Sequence, residues 1–143
     1  MKIFIAADHA GYPIKYHLVN YLSKKGYMVY DLGTQSEESV DYPDYGHALA
    51  QKIDDQSIGI ALCGSGIGIS ITLNRHRNIR AALCWNPTIA ELSRLHNDAN
   101  VCVLPGRFVT VLQAEAIVEA FISGSFEGGR HQKRIEKINP EMP

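Results

Sequence analysis

The sequence lacks the features that mark membrane, secreted and nucleic-acid-binding proteins. No apolar run approaches the roughly 20 residues that a membrane-spanning helix needs, and the N-terminal residues show no signal-peptide pattern. The formal net charge is −1, so nothing favours charge-driven binding to nucleic acid or to a membrane surface. The 143 residues have the apolar and charged fractions of an ordinary globular chain, 45% and 20%, and predict one domain.

Cysteine is also scarce. The three cysteines, at positions 63, 84 and 102, match neither a disulfide framework nor the ligand spacing of a zinc finger. We therefore expect reduced thiols and a cytoplasmic location. Cys84 and Cys102 lie inside apolar runs and are expected to be small core residues.

What the chain does contain is an alternation of short apolar runs and segments of helical periodicity. Strands are predicted at Lys2–Ala7, Tyr27–Leu32, Ser57–Leu62, Ile79–Trp85 and Val101–Leu104. Helices are predicted from Pro13 to a closing Gly26, Asp41 to Ile53, Ile69 to Arg75, Asn86 to His96 and Val111 to Ile122, with a basic terminal helix at about 128–139. This order favours one α/β domain over residues 1–143: a three-layer α/β/α sandwich with a Rossmann-like, five-stranded parallel sheet.

The most informative stretch is the turn Cys63-Gly64-Ser65-Gly66-Ile67-Gly68, which follows the third predicted strand. Closely spaced glycines before a helix present several backbone amides at one point and favour an anion or a developing oxyanion. The same field favours the thiolate form of a neighbouring cysteine. The spacing is not that of a dinucleotide-binding turn, and no lysine stands where a Walker turn needs one. A turn that binds nothing, with Cys63 as a core residue, remains the alternative.

Other ionisable residues stand at predicted element ends. Asp8 and His9 follow the first strand, so we expect strands one and three to be neighbours in a sheet that begins 2-1-3. His96 and Asn97 end the fourth predicted helix and are expected at the same carboxyl edge of the sheet. Arg130 and Arg134, four residues apart, share one helix face and suit a phosphate, although a solvated basic helix end is the simpler explanation.

Seven short motifs, taken together and in order, resemble the family of ribose-5-phosphate isomerase type B, which includes galactose-6-phosphate and allose-6-phosphate isomerases. The resemblance covers residues 1 to about 139. Its motifs are Asp8-His9-Ala10-Gly11, Ser39 to Tyr45, Cys63 to Gly68, Ile79 to Ala82, His96 to Val101, Leu104 to Arg107 and Gly128 to His131.

The resemblance implies an aldose–ketose isomerase that works through an enediolate, with no metal and no cofactor, in the non-oxidative pentose phosphate pathway. It makes Cys63 the base that moves a proton between C2 and C1, and Asp8 and His96 the ring-opening pair. Ser65, where many members have threonine, handles the sugar ring and O1. The enediolate oxygen is stabilised by the backbone amides of Gly64, Gly66, Ile67 and Gly68. One branch of the family uses a glutamate at the position of Ile69, which leaves Cys63 as the only candidate base here.

The remaining implied contacts concern the substrate and a second subunit. Asn97 binds the enediolate or a neighbouring hydroxyl, and Asp41 and Tyr42 line the sugar. The phosphate ligands implied by the resemblance are His9, Arg107, Arg130 and Arg134. A homodimer with shared sites is implied, in which His96, Asn97 and the C-terminal arginines face the partner's glycine turn, and dimers could pair into tetramers.

The sequence therefore leaves two functions open. The first is isomerisation of ribose 5-phosphate, with a six-carbon sugar phosphate such as allose 6-phosphate as a variant. The second is a non-catalytic module that binds a sugar phosphate. A binding module needs the glycine amides and the arginines but has no use for the Cys63 thiol, so that residue discriminates between the two.

Overall fold

The computed structural model describes residues 1–141 and places five parallel strands in one sheet, with helices on both faces. The strands are β1 (Lys2–Ala7), β2 (Met28–Asp31), β3 (Ser57–Cys63), β4 (Ala81–Leu83) and β5 (Val101–Pro105). The helices are α1 (Tyr12–Lys24), α2 (Tyr42–Ala50), α3 (Ile67–Leu73), α4 (Pro87–Asn97), α5 (Val111–Ser123) and α6 (Arg130–Glu136). The predicted α/β class is confirmed.

The strand order is β2-β1-β3-β5-β4, so the predicted start 2-1-3 is confirmed. β3 occupies the centre and all seven of its residues are buried, as its apolar composition predicts for a strand covered on both faces. Because every strand is parallel, the loops that follow β1, β3 and β5 meet at one edge of the sheet.

Two apolar cores cover the two faces of the sheet. One core joins side chains of β1, β3 and β5 to helices α1, α4 and α5, with Leu18, Ala90 and Phe121 among its members. The other joins the opposite faces of the same strands to α2 and α3, with Leu49 and Leu73 among its members. Alternate strand residues enter different cores, which gives the predicted three layers.

Several element ends differ from the sequence prediction. The fourth strand is shorter than Ile79–Trp85, because it is an edge strand that pairs only with β5 and because Trp85 is half exposed beyond its end. Helix α3 starts two residues before the predicted Ile69, and α6 is shorter than the predicted segment 128–139 because Gly128 and Gly129, both at positive φ, precede it. None of the helices within residues 1–141 is both long and apolar enough to cross a bilayer.

Gly66 is the glycine on which the local geometry depends most. It caps α3 at φ +77°, a conformation that L side chains rarely adopt, and a Cβ there would lie 2.5 Å from Leu83 Cδ1 and 3.2 Å from the Leu104 carbonyl oxygen. Gly26 also has a positive φ, +93°, but nothing lies within 4 Å of a Cβ at that position.

We expect Gly66→Ala to lower the free energy of unfolding by about 2–5 kcal/mol, since it combines backbone strain with overpacking. The matched variant Gly26→Ala carries only the strain and should lose about 1–2 kcal/mol. Urea unfolding of both variants measures the difference. Equal losses would mean that the close approach of Leu83 to Gly66 does not constrain this turn.

Candidate active site

Three loops converge at the carboxyl edge of the sheet. The amide of Gly106 donates to the Cys63 carbonyl at 2.9 Å, and the amide of Arg107 donates to the Gly64 carbonyl at 3.0 Å. The loop after β1 is equally close, because a Cβ on Gly106 would lie 2.9 Å from Gly11 Cα. The ends of β1, β3 and β5 therefore form one continuous surface around the glycine turn.

The glycine turn has the amide-rich form that its sequence predicts. Gly66 reverses the chain, α3 begins at Ile67, and the Ser65 hydroxyl oxygen accepts from the Ile67 amide at 3.3 Å. Among residues 1–141, the amides of Ser65 and Gly66 have no hydrogen-bond acceptor. These two donors are available to an oxygen that gains negative charge.

Cys63 is the last residue of β3 and is only 4% exposed. Cys63 belongs to the α2–α3 core together with Ala61 and Ile69. It is also the residue at which the glycine turn begins. Cys84 and Cys102 are fully buried, which confirms that they are core residues. The adjacent Cys84 thiol and burial raise the pKa of Cys102 well above its usual range, so Cys102 stays a thiol.

Asp8 is buried at the end of β1, beside the turn. Its Oδ1 accepts from the amides of Ala10 and Gly11 at 3.0 and 3.1 Å, and its own amide donates to the Leu62 carbonyl. Oδ1 therefore holds the loop, whereas Oδ2 accepts no hydrogen bond from residues 1–141. The carboxylate is fixed in place before any substrate arrives.

Groups suited to a phosphate and a sugar surround the same turn. His9 Nδ1 accepts from the Val40 amide at 3.2 Å, so the neutral ring carries its proton on Nε2 and can donate it to an anion. The Arg107 side chain crosses Gly64, where a Cβ would lie 3.6 Å from its Cδ and 3.7 Å from its Nη1. The Tyr42 ring packs directly against Gly68, and Asp41 precedes it as the N-cap of α2.

His96 and Asn97 lie at the opposite edge of the sheet, so their expected place at the carboxyl edge is wrong. Helix α4 leaves the carboxyl end of β4 and returns to the amino end of β5, which carries its last residues away from the glycine turn. The Asn97 carbonyl accepts from Arg80 Nε at 3.0 Å, and β5 begins four residues later at Val101. Within one chain, His96 and Asn97 do not meet Cys63.

The C-terminal arginines lie near His96 and Asn97, at the end of α4. The Glu127 amide donates to the Leu95 carbonyl at 3.0 Å and ties the segment before α6 to the end of α4. Arg130 and Arg134 are both exposed on α6, as their spacing on one helix face predicts. His96, Asn97, Arg130 and Arg134 are thus brought together, and Asp8, His9, Cys63, Ser65 and Arg107 form the other group.

His131 is not among the site residues predicted from the sequence, although it is the last residue of the motif Gly128 to His131. Its ring stacks on His96 with centroids 4.3 Å apart and planes 16° apart. It is 6% exposed, and its Nε2 has no hydrogen-bond partner among residues 1–141, although Glu127 Oε2 lies 3.5 Å away. Burial lowers the pKa of His131, the positive charges of His96 and Arg130 lower it further, and Glu127 opposes them.

A cavity of about 600 Å³ opens at the amino edge of the sheet, between the starts of β1, β3 and β5. Its two arginines, Arg80 and Arg94, are both paired with Asp98, at 3.3 and 3.2 Å. The two arginines share this one carboxylate, and Asp54 and Asp55 also line the cavity. The glycine turn with its thiol lies at the other edge. The cavity therefore offers less for a phosphorylated substrate than the carboxyl edge does.

The fold is that of a small α/β protein, and its carboxyl-edge residues form a candidate active site with an ionisable thiol and carboxylate beside free backbone amides. The profile of the family described as Ribose/Galactose Isomerase matches residues 3–138. The chain belongs to this family.

Individual relatives agree over nearly the whole length. Ribose-5-phosphate isomerase B of Escherichia coli K12 is 42% identical, covering 96% of this chain and 93% of the relative. The crystal structure of a ribose 5-phosphate isomerase from Thermotoga maritima is 53% identical, covers 96% of both chains and superposes with a TM-score of 0.94. Ribose-5-phosphate isomerase B from Mycoplasma genitalium, solved with bound ribulose-5-phosphate, is 40% identical over 96% of this chain and 93% of that chain, with a TM-score of 0.92.

A buried ion pair supports the loop that carries Asp8. Lys15 on α1 is fully buried, and its Nζ lies 2.7 Å from both carboxylate oxygens of Asp31. Asp31 Oδ1 also accepts from the Gly33 amide, and the Gly33 carbonyl accepts from the Ala7 amide, next to Asp8. The pair links α1 to the end of β1.

We expect Asp31→Asn to lower the free energy of unfolding by about 3–5 kcal/mol, because it leaves the Lys15 ammonium buried without a counter-charge. Lys15→Met should cost less, about 1–3 kcal/mol, because Asp31 is 26% exposed and keeps its bond from the Gly33 amide. Urea unfolding of the two single variants and the double variant measures the three losses in the free energy of unfolding and ranks them. A larger loss for Lys15→Met than for Asp31→Asn would contradict this account.

Proposed function

We propose that the protein interconverts ribose 5-phosphate and ribulose 5-phosphate through an enediolate, with Cys63 as the base. The observation that carries this proposal is Cys63 at the start of a glycine turn that Arg107 crosses at Gly64, with the Ser65 and Gly66 amides left without an acceptor among residues 1–141. Family membership supports the reaction class, and the relative from Mycoplasma genitalium with bound ribulose-5-phosphate supports the substrate. The three free thiols fit the reducing cytoplasm that we assign to it.

Two parts of the site act on the reacting atoms: the Cys63 thiol is the base, and the backbone amides stabilise the oxyanion. The Cys63 thiolate takes the proton from C2 of the open-chain aldose and returns it to C1, while the hydroxyl proton of O2 passes to O1. Negative charge on the enediolate falls beside the glycine turn, where the backbone amides of Ser65 and Gly66 are available as donors. A base alone is insufficient for a weakly acidic C–H bond, so thiol and amides act together.

The phosphate supplies the orientation. His9 Nε2–H and the Arg107 guanidinium flank the turn, and both suit an anionic oxygen. Tyr42, held against Gly68, lines the space between the turn and α2. Binding energy from the phosphate positions C1 and C2 next to the thiol, although the phosphate does not react.

A second subunit completes the site in this proposal. His96, Asn97 and the two C-terminal arginines lie at the edge of the sheet opposite their own Cys63, so they reach a glycine turn only in another copy of the chain. Exposed apolar side chains beside the edge strand β4 supply a surface for that copy: Ile67 and Ile71 on α3, and Ile89 and Leu92 on α4. In such a homodimer, His96 of the partner subunit and Asp8 open the sugar ring.

Replacement of the thiol tests the assignment of the base. With EDTA present, we expect the parent to turn over ribose 5-phosphate and Cys63→Ala to lose at least about 100-fold in kcat, because a general base is removed. Cys84→Ala is the matched control, since it removes another buried thiol on the far side of the sheet and should keep kcat. A direct assay of ribulose 5-phosphate gives the rates.

Three results would count against the proposal. Full turnover by Cys63→Ala would exclude the thiol as base. Loss of parental activity in EDTA would exclude the metal-free reaction. Tight binding of ribose 5-phosphate by the parent without any turnover would favour the non-catalytic binding module.

Mixing two inactive variants tests the shared site. Cys63→Ala and His96→Ala are each expected to be inactive as pure dimers. After unfolding and refolding as an equal mixture, half of the dimers hold one subunit of each kind and one intact site, so about a quarter of parental activity should return. Each variant refolded alone is the control, and failure to regain activity in the mixture would place His96 in the same chain's site or outside catalysis.

A further inference from the structure

A cluster of three potential metal ligands lies where α6 packs on the end of α4. His96, Glu127 and His131 each offer one donor atom, and the three atoms lie within 4.8 Å of one another. The Glu127 Oε2 to His131 Nε2 distance is 3.5 Å. Two ligands of a tetrahedral zinc ion with bonds of 2.0–2.1 Å stand about 3.4 Å apart, so this pair already has the required separation.

His131 supplies the independent sign of a ligand. It is more than nine-tenths buried, and its Nε2, on the Glu127 side, has no hydrogen-bond partner within residues 1–141. An unpaired polar atom in a buried position is destabilising, and a bound cation removes that cost.

We propose that His96, Glu127 and His131 form a binding site for a divalent transition-metal ion such as Zn²⁺, and that the bound ion inhibits the enzyme. Two imidazoles and one carboxylate are a common zinc ligand set, and the fourth position is left open to water. The ion takes no part in the proposed reaction, but its site shares His96 with the proposed ring-opening pair.

Small movements complete the geometry. The near-parallel rings of His96 and His131 do not point at a common coordination position, so the His96 ring must tilt toward Glu127. His96 is half-buried on the last turn of α4 and Glu127 is exposed, so both have room to move. Arg130 and Arg134 repel a cation, and we expect weaker binding than at a structural four-ligand zinc site.

Inhibition follows from the role of His96, and this part rests on the proposed function. A metal ion on the His96 imidazole occupies the lone pair that proton transfer needs and also adds positive charge beside the partner's glycine turn. The binding of zinc to the three side chains does not depend on the isomerase activity, so the two statements can be tested apart.

Competition with a chromogenic zinc chelator measures the affinity of the refolded, metal-free dimer directly. We expect Glu127→Gln to weaken zinc binding roughly 100-fold, since one of three ligands is lost. Glu136→Gln is the matched control: Glu136 is exposed on the same segment and pairs only with Gln132, so binding should not change. Cys63→Ser should also bind zinc as tightly as the parent does.

Assays of turnover on the same proteins test inhibition. Zinc should inhibit the parent and Glu136→Gln, and EDTA should restore both. Glu127→Gln should keep the basal rate and require roughly 100-fold more zinc for the same inhibition. A parent that binds zinc through Glu127 but has no isomerase activity would uphold the metal site and overturn the proposed function.

The remaining outcomes overturn the metal proposal. No zinc binding by the parent at millimolar zinc, or equal affinity of the parent and Glu127→Gln, would exclude the site. Loss of binding in Cys63→Ser would place the ion on the thiol instead. Zinc that binds at the cluster without slowing turnover would exclude the inhibitory part.

Discussion

The direction of the strands is the constraint on which the site depends. In an all-parallel sheet, every helix must return from the carboxyl edge to the amino edge, so a residue at the end of a strand and a residue at the end of a helix stand at opposite edges. Asp8, Cys63 and Arg107 follow strands, whereas His96 and Asn97 end α4. A single chain of this topology cannot unite them. A site that uses both groups must therefore be built between two copies.

Close backbone approach makes the strand-end group possible. Glycine stands where the loops after β1 and β5 touch, at Gly11 and Gly106, and where α3 begins at positive φ, at Gly66. Each of these positions would place a Cβ within 3.0 Å of a neighbouring atom. The same absence of side chains that lets the loops converge also leaves amides free at the turn. Glycine therefore serves both the close packing of these loops and, in the proposed mechanism, the stabilisation of an oxyanion.

Residues next to strand ends were predictable from the sequence, because their position follows from the strand alone. The adjacency of β1 and β3 came from the polar ends of two apolar runs, and it brought Asp8 and Cys63 together correctly. The predicted place of His96 is wrong because α4 returns to the amino edge of the sheet, so its last residues lie opposite the strand ends. The extent of β4 depends on having a neighbour on one side only, and the burial of His131 depends on α6 packing against α4. Both are tertiary effects that no local pattern carries.

One physical cause makes the imidazoles of His96 and His131 suited both to proton transfer and to binding a metal ion. An imidazole that exchanges protons near neutral pH must spend much of its time neutral, with an exposed lone pair, and such an imidazole is also a good ligand for zinc. Burial and the positive charges of His96 and Arg130 lower the pKa of His131, and its stacking on His96 holds the two rings together beside Glu127. In the proposed site, Arg130 and Arg134 bind the phosphate, and their charges disfavour a cation. Under the two proposals, the balance between the charges of Arg130, Arg134 and Glu127 decides whether an anionic sugar or a metal ion binds beside His96.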